Sequence, residues 1–125
     1  MTGPPLTFLV VEDERIISLA MELHIRKLGH RVSASVASGE AALEALGKER
    51  PDLVLMDIHL EGGLDGIETA RLMQERGGPP VAFATAYTDV ETRTRALAIM
   101  PLAFLPKPVG PLELKALVRQ LASLS

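Results

Sequence analysis

The sequence predicts an α/β fold in three layers, a parallel sheet with helices against both faces. Three observations carry that reading. Four short runs, residues 8–11, 53–56, 81–84 and 103–105, are apolar at every step, as strands covered on both sides must be. The segments between them repeat their apolar residues at helical spacing. Glycine and proline fall at the joins, where one period gives way to the other.

In chain order, Phe8-Leu9-Val10-Val11 is a buried strand that runs into Glu12-Asp13-Glu14. The period then changes. Ile16, Ala20 and Leu23 stand at i, i+4, i+7, Ile17, Met21 and Leu28 widen that stripe, and Gly29 stops the helix. Val32, Ala34 and Val36 alternate with Arg31, Ser33 and Ser35, the pattern of a half-covered edge strand. Ser38-Gly39 opens a second helix carrying Ala42, Ala45 and Leu46, which ends before Pro51. The run Asp52-Leu53-Val54-Leu55-Met56-Asp57 is the central strand, with a carboxylate at its end. A glycine-rich loop, Glu61-Gly62-Gly63-Leu64-Asp65-Gly66, leads to a third helix capped by Asp65 and bearing Ile67, Ala70 and Met73. Gly77-Gly78-Pro79-Pro80 breaks it.

Val81-Ala82-Phe83-Ala84 is the fourth strand, tipped by Thr85. A fourth helix over about residues 90–100 offers only Val90, Leu97 and small residues to its inner side, so it is expected to be the least firmly packed. Ala103-Phe104-Leu105 is the fifth strand. Pro106 assigns it to a sheet edge, where a missing donor is tolerated. Lys107-Pro108 closes it, and Pro111 starts a last helix with Leu114, Leu117, Val118 and Leu121 inward. With the second and fifth strands at the edges, right-handed crossovers give the flavodoxin-like (βα)5 order 2-1-3-4-5.

That order sets the ends of strands one, three, four and five in one row, at the end of the sheet where ligands bind in such folds. Glu12, Asp13 and Asp57 meet there. Three carboxylates so close repel one another unless a cation joins them. Hard oxygen ligands with room for water suit Mg²⁺. The Lys107 ammonium and the Thr85 hydroxyl complete a pocket for a phosphoryl group, and a carboxylate inside it can act as nucleophile and become an aspartyl phosphate. Singly, each residue has a plainer reading: turn acid, helix-dipole partner, strand threonine, solvated lysine. Glu14 keeps the dipole role. The other five compel attention as a set.

Composition bounds the rest. The chain of 125 residues is one domain by size, expected to stand alone over 1–125 without an output domain. Its core is aliphatic, with three Phe, one Tyr and no Trp. A net charge of −3 with interspersed signs argues against nucleic-acid binding. The lack of cysteine excludes disulfides and permits a reducing compartment. No signal peptide or membrane span is evident, so a soluble cytoplasmic protein is expected.

The blocks Val10-Val11-Glu12-Asp13-Glu14, Leu55-Met56-Asp57, Asp65-Gly66-Ile67, Ala84-Thr85-Ala86 and Leu105-Pro106-Lys107-Pro108 resemble the signatures of response-regulator receiver domains of two-component signalling. The likeness runs from about residue 6 to residue 124. It implies transfer of a phosphoryl group to Asp57 from a phosphohistidine on a sensor histidine kinase or phosphotransfer protein. It also implies Mg²⁺ on Asp13 and Asp57, with Glu12 acting through water and the backbone carbonyl of His59 as a further ligand. Thr85, the Ala86 amide and Lys107 would hold the phosphoryl oxygens, and the Lys107-Pro108 bond would be cis. Thr85 and Phe104 would form a switch that reshapes the face of the fourth helix, fifth strand and fifth helix for a downstream protein target or a homodimer.

Tyr87 is read either as a residue at the pocket mouth or as plain surface, and His59 as a modulator of dephosphorylation or as surface. His24 and His30 have no partners in view. Three departures from the family pattern stand out: the loop after Asp57 is one residue longer, with Glu61-Gly62-Gly63 where proline is usual, His59 stands two residues past Asp57, and Met100-Pro101-Leu102 replaces a small-residue turn. Two other classes compete with a signalling switch that does not act on a separate metabolite. A haloacid-dehalogenase-type phosphatase would carry a second acid where His59 stands. A nucleotide or flavin carrier would need a glycine loop where Glu12-Asp13-Glu14 would repel phosphate.

Overall fold

The computed structural model describes residues 3–86 and 89–124; Tyr87 lies outside them. Five strands, β1 (Thr7–Val11), β2 (Arg31–Val36), β3 (Leu53–Asp57), β4 (Val81–Thr85) and β5 (Ala103–Pro106), alternate with five helices. These are α1 (Arg15–Lys27), α2 (Gly39–Lys48), α3 (Gly66–Glu75), α4 (Val90–Ala98) and α5 (Pro111–Ala122). All strand pairs are parallel, in the order β2-β1-β3-β4-β5, as the sequence predicts.

The apolar strands are apolar at every step because the sheet has two covered faces. Leu9, Val11, Val54, Met56, Val81 and Phe83 point to the side of α2, α3 and α4, where Ala42, Ile67, Ala70, Met73 and Ala96 meet them. Phe8, Val10, Leu53, Leu55, Ala82 and Ala84 point to the other side, against Met21 and Ile25 of α1 and Leu114 and Leu117 of α5. Helix starts follow the local chemistry. Ser38 Oγ accepts from the Ala41 amide at 3.1 Å. Asp65 and Glu68 form a reciprocal capping box, at 2.8 and 3.1 Å. Pro111 sits in the first turn of α5, where its lack of N–H costs nothing.

The structure corrects the sequence reading in three places. The α1 stripe is rotated: Ile16, Leu19 and Leu23 are exposed, and Ser18, Met21 and Ile25 are buried, with Ile17 and Leu28 packed beside them. Apolar residues cover more than one face of this helix, and periodicity alone cannot choose between overlapping stripes. In β2 a register irregularity opposite Phe8 and Leu9 pairs Phe8 with Val32 and Leu9 with Ala34. Val32 therefore packs on the α1/α5 side and Ala34 and Val36 on the other, where strict alternation would put all three on one face.

In α4 the expected inner residues lie outside, Val90 83% and Leu97 46% exposed, and only Ala96 is fully buried. The helix is held instead by polar contacts. Arg95 Nη2 approaches Asp65 Oδ2 at 3.3 Å, and Gln74 Nε2 donates to the Ile99 carbonyl at 2.7 Å. His30, which showed no partner in the sequence, is buried. Its Nδ1 accepts from the Leu6 amide at 2.9 Å, and its ring lies 5.9 Å from that of Phe8.

Candidate functional site

Parallel pairing fixes which residues share the carboxyl end of the sheet. Val11 pairs with Met56, Asp57 with Ala84 and Thr85 with Pro106, so Glu12, Asp13, Asp57, Thr85 and Lys107 come to one edge from four strands. Asp57 closes β3 and is 4% exposed; Glu12 and Thr85 are as deeply set, at 3% and 4%. A cleft of about 390 Å³ opens over them, lined by Asp13, Glu14, Asp57, His59, Glu61, Ala86 and Lys107.

The carboxylates are held from two sides. Asp57 Oδ1 accepts from the His59 amide at 3.2 Å, and Asp57 Oδ2 lies 3.3 Å from Lys107 Nζ. Glu12 Oε2 accepts from the Glu14 amide at 3.0 Å. Lys107 reaches across the ends of β4 and β3 to stand 2.5 Å from Glu12 Oε1. That oxygen is buried and has no hydrogen bond in good geometry. The lysine's own backbone is fixed by its amide, which donates to the Thr85 carbonyl at 2.9 Å. The peptide bond after it is cis.

Burial pushes the carboxyl groups of Glu12 and Asp57 above their ordinary range, and the neighbouring ammonium only partly offsets this. For Lys107 burial works downward, but the two carboxylates outweigh it and hold its pKa above the usual lysine value. Three acids thus face one cation. Ligating oxygens of Glu12, Asp13 and Asp57 lie within 4.8 Å of one another. An all-oxygen set of three carboxylates against a single ammonium fits a hard divalent cation such as Mg²⁺.

The loop beyond Asp57 is set by close backbone contact. The Gly66 amide donates to the Ile58 carbonyl at 2.8 Å, and a Cβ at Gly66 would run into the Asp57 carbonyl and the Ile58 Cα. Glycine is required there by space, so the Asp65-Gly66 pair locks the start of α3 against the end of β3. His59 is exposed at the cleft. Its proximity adds to the lowering of Asp89, whose carboxyl is pulled down chiefly by hydrogen bonding to Thr92. Phe104 is half-buried on β5, paired with Phe83.

Every predicted site residue among the described ones is therefore at the carboxyl edge, or, for Phe104, on the strand leading to it. The sequence reading missed Glu61 as a lining residue, although its place in the loop after Asp57 was a signal. Glu14 occupies the N-cap position of α1 without a side-chain cap bond and also faces the cleft. Arg93 was missed as well: its guanidinium lies 4.8 Å from the centroid of the Phe104 ring. No sequence pattern pairs those two residues, because the contact crosses from helix to strand.

Comparison with known proteins agrees with this geometry. The family model for the response regulator receiver domain matches residues 8–119. The chain is 30% identical over 113 residues to the transcriptional regulatory protein YvrH of Bacillus subtilis, covering 90% of this chain and 47% of that one. It is 40% identical over 83 residues to AfsQ1 of Streptomyces coelicolor, covering 66% and 36% respectively. It thus spans about half or less of the length of these relatives. Among solved structures, the signal receiver domain of a modulated diguanylate cyclase from Desulfovibrio desulfuricans superposes with a TM-score of 0.90 at 33% identity, over 96% of this chain and 95% of that one. The receiver domain of PhyR from Erythrobacter litoralis gives 0.80 at 30%, over 98% and 93%. With five parallel strands in this order and acids, hydroxyl and lysine on one edge, the chain belongs to the response regulator receiver domain family, a signalling module of two-component systems.

Proposed function

We propose that Asp57 is the phosphoacceptor of a metal-assisted switch. A carboxylate oxygen of Asp57 attacks the phosphorus of a phosphohistidine on a sensor histidine kinase or phosphotransfer protein. The P–N bond breaks, and the leaving imidazole keeps the electron pair and takes a proton. The observation that carries this is the buried Asp57 carboxylate, open to the cleft and 3.3 Å from the Lys107 ammonium.

Lys107 offsets charge that grows on the phosphoryl oxygens, while the Thr85 hydroxyl and the Ala86 amide bind them. Asp13 and Asp57, with Glu12 and the His59 carbonyl, would hold Mg²⁺, which neutralises the phosphoryl oxygens when bound. The raised pKa values of Glu12 and Asp57 report a site that keeps its negative charge at a cost until a cation joins it. His59 and Glu61 at the mouth control the approach of the water that later hydrolyses the acyl phosphate. The output runs through Thr85 and Phe104 to the face of α4, β5 and α5, and so to a downstream protein.

The test is incubation of the chain with a small phosphoramidate donor and Mg²⁺, followed by intact-mass and peptide mapping. A hydroxylamine-labile gain of one phosphoryl group on the peptide containing Asp57 is expected, with complete loss in Asp57→Asn. Labelling that persists in that variant, or that is indifferent to chelation, defeats the assignment.

A further inference from the structure

Phe104 does not behave like the aromatic beside it. Its partner across the strands, Phe83, is fully buried, whereas Phe104 is half-buried and takes the Arg93 guanidinium over its ring at 4.8 Å. A cation on an exposed aromatic face contributes about 0.5–1 kcal/mol, and arginine adds the planar fit that lysine lacks. The position of Arg93 is defined by its neighbours on α4. One turn away Ala96 is the helix's only fully buried residue, and two residues away Arg95 reaches Asp65.

Arg93 meets the ring here in an arrangement in which the ring stands partly out. Inward rotation of Phe104 leaves the guanidinium with solvent in place of the ring. A contact made in one arrangement and absent from the other biases the equilibrium by its own strength.

We infer that Arg93 is a positioning residue that holds Phe104 in the resting arrangement and so sets how readily the switch responds. The inference rests on the reading of Asp57 and Phe104 given above. Loss of the contact raises the ratio of switched to resting molecules about two- to fivefold, the ratio equivalent of the cation–π range. Because the switched form is the one that grips a phosphoryl group, the apparent affinity for a phosphoryl mimic tightens by up to the same factor.

The experiment compares amide correlation spectra of the full chain, wild type and Arg93→Gln, free and titrated with beryllofluoride in Mg²⁺. The reporters are the amides of Ala96, Phe104 and Leu105, none of which lines the cleft. In free Arg93→Gln these peaks are expected to move along the line joining the free and beryllofluoride-bound positions of the wild type. The titration midpoint should fall about two- to fivefold. Arg93→Lys, with the charge but not the plane, should lie between the two. A merely structural role lowers melting temperature without moving peaks along that line. If wild type responds to beryllofluoride and Arg93→Gln matches it in peak position and midpoint, or its peaks leave the line, the role of Arg93 is overturned while the phosphoacceptor stands. If wild type itself gives no response, the reading of Asp57 fails and this inference falls with it.

Discussion

The two ends of the site are built differently. The elements that carry Asp57 are closely packed: β3 is buried along its whole length, α3 buries five residues from Gly66 to Met73, and no space exists at Gly66 for a single methyl group. Around Thr85 and Phe104 the neighbour is α4, which buries one alanine and is otherwise held by Arg95 on Asp65, Gln74 on the Ile99 carbonyl and Arg93 on Phe104. Met100, just past α4, has the positive φ of 56° that favours glycine and stands immediately before Pro101. Apolar packing of the first kind has one good solution, since interiors transmit strain and do not deform smoothly. Polar contacts at a surface are worth little each and are exchanged cheaply. On the proposed function, the difference teaches how one small domain would hold a nucleophile still and yet report on its state: the chemistry would sit on the packed side and the readout on the side with little to lose by moving.

The comparison breaks most visibly at Gly66. Gly66→Ala forces a Cβ against the backbone of Asp57 and Ile58, with no flexible side chain to yield. Overpacking of this kind costs about 1–3 kcal/mol, and a backbone obstacle puts it at the upper end. Urea unfolding should show the midpoint falling with the slope unchanged, and phosphoryl uptake should drop with it because Asp57 itself is displaced. A midpoint within experimental scatter of wild type would mean that the end of β3 is not as closely determined as the packing indicates.

A smaller effect of opposite sign is expected from the charges. Glu12 and Asp57 have raised pKa values, so between the ordinary carboxylate range and those values the folded chain holds more protons than the unfolded one. Stability therefore falls as pH rises through that window. Lys107, also raised, works at the other end: it stabilises the fold below the usual lysine range and loses that contribution as pH climbs past its folded value. Asp57→Asn removes one buried charge and should stabilise the fold at neutral pH, read as a rise in melting temperature. Mg²⁺ at ten times its dissociation constant should add about 1.4 kcal/mol to wild type and much less to the variant. Lower stability of Asp57→Asn at neutral pH would show that the Lys107 pair outweighs the cost of burial.

How much of this was legible in the sequence follows the same division. The packed side could be read almost completely. Strands covered on both faces leave unbroken apolar runs, Asp65 announces a helix start, and the residue types at the strand ends point to the chemistry. What failed to read was orientation where burial is partial. In α1 the apolar residues outnumber the places against the sheet, so Ile16 and Leu23 were assigned inward and stand exposed. In β2 a register irregularity splits a regular alternation between two faces. In α4 the inner position fell to Ala96, the smallest of the apolar choices. The contacts that seat α4 join residues of separate elements through charge, amide and ring groups, and no periodicity encodes them. Around Phe104 the likeness to a family supplied the proposed role of the ring but not its partner Arg93, which belongs to this chain's own arrangement.

The smallest expected effect is the one that sharpens the contrast. Leu97 is a large aliphatic residue in a helix, and the sequence alone assigns it to the core. In the structure it is 46% exposed, and α4 is anchored through other residues. Leu97→Ala should then change stability by no more than about 0.5 kcal/mol, the range of surface substitutions, partly because alanine is the better helix former. The matching change on the packed side, Met73→Ala, removes a fully buried side chain of α3 and should cost about 2–5 kcal/mol. Measured side by side by urea unfolding, the pair forms an internal control, since both remove a long apolar side chain from a helix on the same side of the sheet. A loss of 2 kcal/mol or more for Leu97→Ala would place α4 among the packed elements, and the readout would then need a source of mobility other than weak seating.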